Sequence, residues 1–488
     1  MAPLKFDKKN ITLVLTEECN FRCKYCYMVK KNSKSRLSLD MAKKIVDYFL
    51  EDRDAFPESS SFWDFIGGEP LLEAELIDQI ITYIKLRTYL LDHPWFENAQ
   101  FGMSSNGSLF GTPKVQELLR KHGSRLEIGM TIDGPEYVHN MERVFPDATG
   151  THSSVVENVP LWIKHFRDPA SISTKVTISH GNLPYLAESV LYLFSLGIIT
   201  VNANVVFENV WEPGDDEILE QQLDKLGDAM LESGLWKKHN CSFFRDFIGK
   251  PVPKENDNNW CGSGSAMVAA DAAGNLYPCV RYLGFSLAKK PGFTMGNIFE
   301  GFDREVFDRF SNVTRSSISP PECLECEVAS GCAWCPGFNY DDDENAVGGV
   351  GKRAIYICKM HKARVRANER FQKKLSELQK AEGFTPMVCV DGRCKSPAAT
   401  GKVVGRVTKE ESKYIQHLFF RREALEDLFS LLPEMKDAPA DLYERLLQDT
   451  GEVVRQYEEW WAKMGEKYKW ERGGSWRISF DSCEIFVV

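Results

Sequence analysis

The chain has no apolar run approaching the roughly 20 residues that a membrane helix requires, so a spanning helix is not expected. It has no basic excess either: 60 Lys and Arg stand against 70 Asp and Glu, a formal net charge of −10 over 488 residues. Coating nucleic acid or lying on an anionic membrane needs positive charge to neutralise phosphate, so neither partner is expected. No internal repeat and no low-complexity tract is found, which excludes solenoids and long disordered linkers. The opening segment, MAPLKFDKKNITLVL, lacks a small-residue cleavage site and reaches Glu17 and Glu18 at once. It reads as a strand, not a signal peptide, and the expected location is cytoplasmic.

What is present is 43 % hydrophobic and 12 % aromatic residues, enough to bury real cores, and a length that allows about three domains at roughly 100–200 residues each. There are also 14 cysteines. A reducing cytosol keeps thiols reduced, so clustered cysteine points to metal or catalysis rather than to a disulfide framework.

Six short β-branched or apolar runs, 11–15, 61–66, 100–104, 126–132, 172–178 and 198–206, alternate with helical stretches. In the first of these stretches Met41, Ile45, Tyr48 and Phe49 recur on one helix face. Six such units imply parallel strands joined by helical crossovers. An open doubly wound sheet and a partial barrel both satisfy the pattern, and both place ligands at the carboxyl ends of the strands. The fold class is α/β, with expected domains at 1–235, 236–395 and 396–488. The middle segment is rich in Cys, Gly and Pro, as expected of a domain stapled by metal. Residues 359–382 read as a basic polar helix. The last segment is mainly helical around Leu425, Leu428, Leu431 and Leu432, and ends in an alternating strand-like stretch, 476–488.

Directly after the first strand stand Cys19, Cys23 and Cys26, spaced C-x3-C-x2-C. Three thiolates hold three corners of a [4Fe–4S] cube and leave the fourth iron free for a ligand. A structural zinc site would want a fourth Cys or His nearby, and none is found within twenty residues. The loop resembles the cluster signature of the radical S-adenosylmethionine (SAM) superfamily, including the aromatic Tyr25 before the third cysteine. The resemblance implies a partial (β/α)6 barrel and reductive cleavage of SAM to a 5′-deoxyadenosyl radical. Three more strand ends fit it: Gly67-Gly68-Glu69-Pro70, similar to the family's motif for the SAM amino group; Asn106 in Ser-Asn-Gly; and Thr131-Ile-Asp133-Gly-Pro with His139 and Arg143. By this resemblance Tyr25, Gly67, Gly68, Glu69, Asn106, Thr131 and Arg143 bind SAM.

A second cysteine set reads Cys261-x12-Gly274-x4-Cys279, then Cys323-x2-Cys326-x5-Cys332-x2-Cys335, then Cys358. It resembles the SPASM auxiliary-cluster domain, except that two residues, Ala333 and Trp334, separate Cys332 from Cys335 where that family has three. The resemblance implies one [4Fe–4S] cluster on Cys323, Cys326, Cys332 and Cys358 and another on Cys261, Cys279 and Cys335, with Cys241 or nothing as the eighth ligand. A zinc ribbon on Cys323, Cys326, Cys332 and Cys335 is the alternative, and it leaves Cys261, Cys279 and Cys358 unexplained.

The family branch contains sulfatase-maturing enzymes and maturases of ribosomally made peptides. Sulfatase maturation calls for an Asp after the cysteine matching Cys279, and Val280 accepts no proton. The expected function is therefore radical formation of a thioether or carbon–carbon link in a precursor peptide, fed by an external donor such as flavodoxin or ferredoxin. A non-catalytic electron-transfer protein is the other class of reading; it would need clusters but no SAM site. An edge strand in 476–488 could capture an extended peptide, and Gly473-Gly474 before the Cys483 tail resembles a fused peptide substrate.

Overall fold

The computed structural model describes residues 7–32, 34–166, 168–383, 389–390, 393–394, 402–435, 438–470, 476–480 and 482–487. Six strands form where the β-branched runs lie: β1 (Lys8–Thr16), β2 (Ser60–Gly67), β3 (Ala99–Ser105), β4 (Leu126–Met130), β5 (Ser173–Ile178) and β6 (Thr200–Val205). A short β7 (Asn240–Cys241) follows on β6. The β1–β2, β3–β4, β5–β6 and β6–β7 pairs are parallel. A bridge from Thr131 to Lys175 joins the β4 side of the wall to β5. The result is a partial (β/α)6 barrel, with a helix or helical turns following each of the first six strands.

Helix Leu39–Glu51 shows why the crossovers fold as they do. Ser38 caps it by accepting from the Met41 N–H, and Ala42, Ile45, Val46, Phe49 and Leu50 form its buried face. The strands carry two faces. On β2, Ser61, Trp63 and Phe65 are closed off at 0 % exposure, while Phe62, Asp64 and Ile66 between them stay partly open. The closed rows pack toward the helices, as where Trp63 meets Phe49 of helix Leu39–Glu51 edge-on. The open rows line the concave side, where Lys175 on β5 donates to Ser104 Oγ on β3 at 2.8 Å across the intervening β4.

The cysteine-rich segment adds to this wall. Strand β8 (Met267–Ala270) pairs parallel with β1, and β9 (Asn275–Tyr277), β10 (Gly296–Asn297) and β11 (Gly301–Phe302) extend the sheet antiparallel from it. The helix Cys358–Ala381, expected at 359–382, lies along Asp215–Glu232 through a charge zipper: Arg366 and Arg370 pair with Glu220, Arg370 with Asp224, and Lys374 with Asp228.

The contacts divide the chain into two compact units, residues 1–81 with 100–378, and residues 82–99 with 379–488. The second unit is mainly helical. Helices Lys409–Leu431 and Leu442–Tyr468 bury Ile415, Leu425, Leu428, Leu446 and Trp460 together with Tyr89 and Phe96. Lys85, 1 % exposed, pairs with Asp427 at 2.7 Å. A three-stranded antiparallel sheet, β14 (Lys402–Arg406), β16 (Glu484–Val487) and β15 (Trp476–Ser479) in that order, completes it. Before it, β12 (Cys389–Val390) and β13 (Arg393–Cys394) set Cys389 opposite Cys394. The expected boundary at 395/396 and Gly473-Gly474 lie outside the described residues.

Candidate functional site

Cys19, Cys23 and Cys26 follow β1 on a loop held by backbone and side-chain bonds. Arg22 donates to the Cys19 carbonyl at 2.6 Å, the Arg22 and Lys24 N–H groups donate to the Val144 and Glu142 carbonyls, and the Glu69 N–H donates to the Glu18 carbonyl at 2.9 Å. The Phe21 N–H points at Cys19 Sγ, 3.4 Å away. Burial pushes the Cys23 thiol up to about 11; Arg143 opposes this, while the thiols of Cys26 and Cys19 add to it. Three thiols facing one another in a low-dielectric loop are costly as bare anions and suit a cationic iron cluster that shares them.

The other strand ends close on this loop. Gly68 has no room for a side chain: a Cβ there would overlap the Glu18 carbonyl and stand 2.8 Å from Cys19 Cβ, while one on Gly67 would meet the Thr16 carbonyl oxygen at 2.6 Å. Glu69, 1 % exposed, accepts from the Leu71 N–H at 3.0 Å, Ser105 Oγ at 2.8 Å and the Asn106 N–H at 2.7 Å. Its carboxylate thus ties the β2 end to the β3 end. Asn106 donates through Nδ2 to Asn20 Oδ1 at 2.7 Å, linking β3 to the cysteine loop.

After β4, Asp133 is buried and its carboxyl is raised by burial, against the pull of Arg143. Tyr25 donates its hydroxyl proton to Asp133 Oδ2, and Arg143 Nη1 donates to the Tyr25 oxygen at 2.8 Å and lies 4.0 Å from Asp133. Arg143 also covers the Phe21 ring at 5.8 Å. Its Nε is buried and has no hydrogen-bond partner among the described residues, leaving a donor for an anionic group. His139 bonds Thr151 Oγ1 at 3.1 Å and accepts from the Asp133 N–H at 3.3 Å, and burial drops its pKa to about 2. It is a neutral rim histidine. Thr131 bridges to Lys175 at the mouth.

The remaining seven predicted thiols fall into two sets. Cys335 neighbours both Cys261 and Cys279: burial lifts Cys261 to about 11, with Cys335 adding to it, and Cys279 to about 12, with Cys335 and Cys261 adding to it. Cys323, Cys326, Cys332 and Cys358 form the second, where Cys332 is raised by burial and by the other three against Arg353. Cys335 is thus a neighbour of Cys261 and Cys279 although only two residues separate it from Cys332. Among the described residues no three His, Cys, Asp or Glu side chains converge to hold a single metal ion. Cys241, lifted by burial to about 11, has Arg364 and Arg245 as its charged neighbours.

Sequence reasoning passed over several groups here. Asp64 faces the open side of the barrel and burial pushes it up to about 6, with Lys175 pulling down. Strand alternation on β2 was the signal available for it. His180, just after β5, stands 3.0 Å from both carboxylate oxygens of Asp215, which raises its pKa. Arg281 pairs with Glu208 at 2.8 Å and covers the Tyr27 ring at 5.5 Å.

Comparison with known proteins agrees with this geometry. The model of the Radical SAM superfamily matches residues 13–184. An uncharacterised protein of Methanocaldococcus jannaschii is 29 % identical over 198 residues, 41 % of this chain and 63 % of that protein's length. The radical SAM cyclopropyl synthase TigE of Paramaledivibacter caminithermalis is 20 % identical over 348 residues, 67 % of each chain. The structure of native anSMEcpe with bound AdoMet superposes with a TM-score of 0.57 at 17 % identity, covering 76 % of this chain and 100 % of that one, which is agreement in fold. Residues 13–184, which match the Radical SAM superfamily, hold the cysteine loop and the strand ends from β1 to β5.

Proposed function

We propose that the protein is a radical SAM peptide maturase that joins side chains of a ribosomally made precursor through a thioether or carbon–carbon bond. Ten thiols grouped as three, three and four support it: one set at the mouth of the barrel and two more in the segment paired to β1. When bound, SAM and the cluster at Cys19, Cys23 and Cys26 supply a 5′-deoxyadenosyl radical that takes a hydrogen atom from substrate.

The chain's own residues do the positioning. Gly67 and Gly68 let backbone approach the methionyl end of SAM, Glu69 and Asn106 lock the strand ends that form its seat, and Thr131 and Arg143 hold the nucleoside and carboxylate side. Tyr25 spends its hydroxyl on Asp133, so its part is to fix the Arg143 guanidinium. The polar lumen, with Asp64, Ser104, Glu127, Lys175, Asn202 and Asn204 on its open rows, receives the substrate residue. Cys261, Cys279 and Cys335 would hold one auxiliary cluster with three protein thiolates. Cys323, Cys326, Cys332 and Cys358 hold the other.

The similarity to a cyclopropyl synthase, an enzyme named for forming carbon–carbon bonds, favours the carbon link over the thioether. Val280, an apolar residue packed beside Tyr282 and Leu287, disfavours sulfatase maturation, which needs an acceptor at that point. The test is anaerobic reconstitution with SAM and dithionite, or with flavodoxin or ferredoxin as donor. Release of 5′-deoxyadenosine, and loss of a pair of hydrogens from a short peptide encoded beside the gene, support the reading. A neighbouring sulfatase as the modified partner overturns it.

A further inference from the structure

Each thiol set has an arginine beside it, Arg143 and Arg353 buried and Arg281 half-buried, and the three differ in how far their charge is cancelled. Beside Cys23, Arg143 is 5 % exposed and faces the equally buried Asp133 at 4.0 Å. Beside Cys335, Arg281 donates to Glu208 at 2.8 Å, a partner that is itself 40 % exposed. Arg353, 7 % exposed, is different: it donates to Cys332 Sγ at 2.9 Å and to the Cys332 carbonyl at 3.0 Å. Its guanidinium bonds go to sulfur and backbone carbonyls, and among the described residues none goes to a carboxylate. Arg364 brings a second guanidinium toward Cys332, bonded to the carbonyls of Ser242 and Phe243. Glu322 opposes them beside Cys323, but it is exposed and screened by water.

Reduction adds one negative charge to an iron–sulfur cluster, so an uncancelled buried cation bonded to a ligand sulfur favours the reduced form. We infer that Arg353 gives the cluster on Cys323, Cys326, Cys332 and Cys358 the highest reduction potential of the three, making it the resting place of the electron removed from substrate. The inference rests on the cluster assignments proposed above. The substrate radical closes its new bond by losing one proton to water and one electron to this oxidised cluster. An external one-electron carrier then takes that electron away. All four thiols are partly exposed, which gives such a carrier access.

The test is an EPR-monitored redox titration of the reconstituted full chain, in a Cys19→Ala, Cys23→Ala, Cys26→Ala background that silences the first set. Arg353→Met is expected to move the more positive of the two auxiliary couples down by at least a tenfold change in reduced-to-oxidised ratio at fixed poise, about 59 mV for one electron. The other couple stays within error, and Arg353→Lys, which keeps the charge, recovers most of the shift. If Arg353→Met does not assemble its iron, Arg353→Gln is read instead and the same loss is expected. An unmoved couple in a fully loaded variant overturns the inference and leaves the clusters standing. About four irons in the wild type instead of about twelve overturns the cluster reading itself, and the inference with it.

Discussion

Along the barrel strands the chain closes off Trp63, Phe65 and Phe101 at 0 % exposure, whereas residues 313–357 gather little more than Val313, Ile318 and Trp334 into a core of their own. The thiols of the two regions therefore do different physical work. The loop of Cys19, Cys23 and Cys26 is shaped beforehand by Arg22, Asn20, Asn106 and the Glu18 carbonyl, so what it binds adds chemistry to a formed seat. Around Cys323, Cys326 and Cys332 the elements are one- or two-turn helices, so the cluster proposed there would also hold the fold.

The sharpest way to break this contrast is to remove one thiol from each region. Cys358→Ala should expose amides across 313–357 to hydrogen exchange at a cost on the order of several kcal/mol. Cys23→Ala should leave barrel protection intact while 5′-deoxyadenosine formation falls to background. Equal loss of protection in both variants would erase the distinction.

Arg143→Met comes next. It strands Asp133 in a buried site without its cation, at about 3–5 kcal/mol in denaturant unfolding. Arg143→Lys, which keeps a cation beside Asp133, should recover part of the loss.

Asp64 carries a pH signature. Its folded pKa of about 6 lies above the usual carboxylate value, so the folded state holds the proton more tightly and stability falls as pH rises from about 4 to about 6. Asp64→Asn should flatten that fall and gain about 3 kcal/mol at pH 7, by thermal or urea unfolding across the pH range. A curve parallel to wild type would show that the lumen already solvates the carboxylate.

The smallest effect is expected at the zipper between Asp215–Glu232 and Cys358–Ala381. Arg370→Ala removes exposed pairs to Glu220 and Asp224 and should cost less than about 1 kcal/mol in urea midpoint.

The six barrel strands were legible because β-branched runs separated by helical spacing leave few other choices, and every run became a strand with ends shifted by a few residues at most. The cysteine spacing suggested the partition proposed above, and the fold sets Cys335 near Cys261 and Cys279 although two residues separate it from Cys332. What stayed hidden depends on distance in sequence. Arg353 meets Cys332 across 21 positions, and Lys175 meets Ser104 across 71. No periodicity announces such pairs. The recruitment of 82–99 into the second unit was hidden too, since Phe96 and Tyr89 find their core partners more than three hundred residues later, in Leu425 and Trp460.

The pairing of β8 with β1 fixes Asn10 opposite Met267 and Leu13 opposite Ala270. Cys19 leaves one end of that ladder and Cys261 enters at the other, so the two thiol sets are gauged against each other in whole residues. A slip of one position would shift the gap by about 3.3 Å and turn every side chain to the wrong face. The ladder is in effect a ruler, graduated by hydrogen bonds, that holds the two thiol-bearing loops at a fixed spacing.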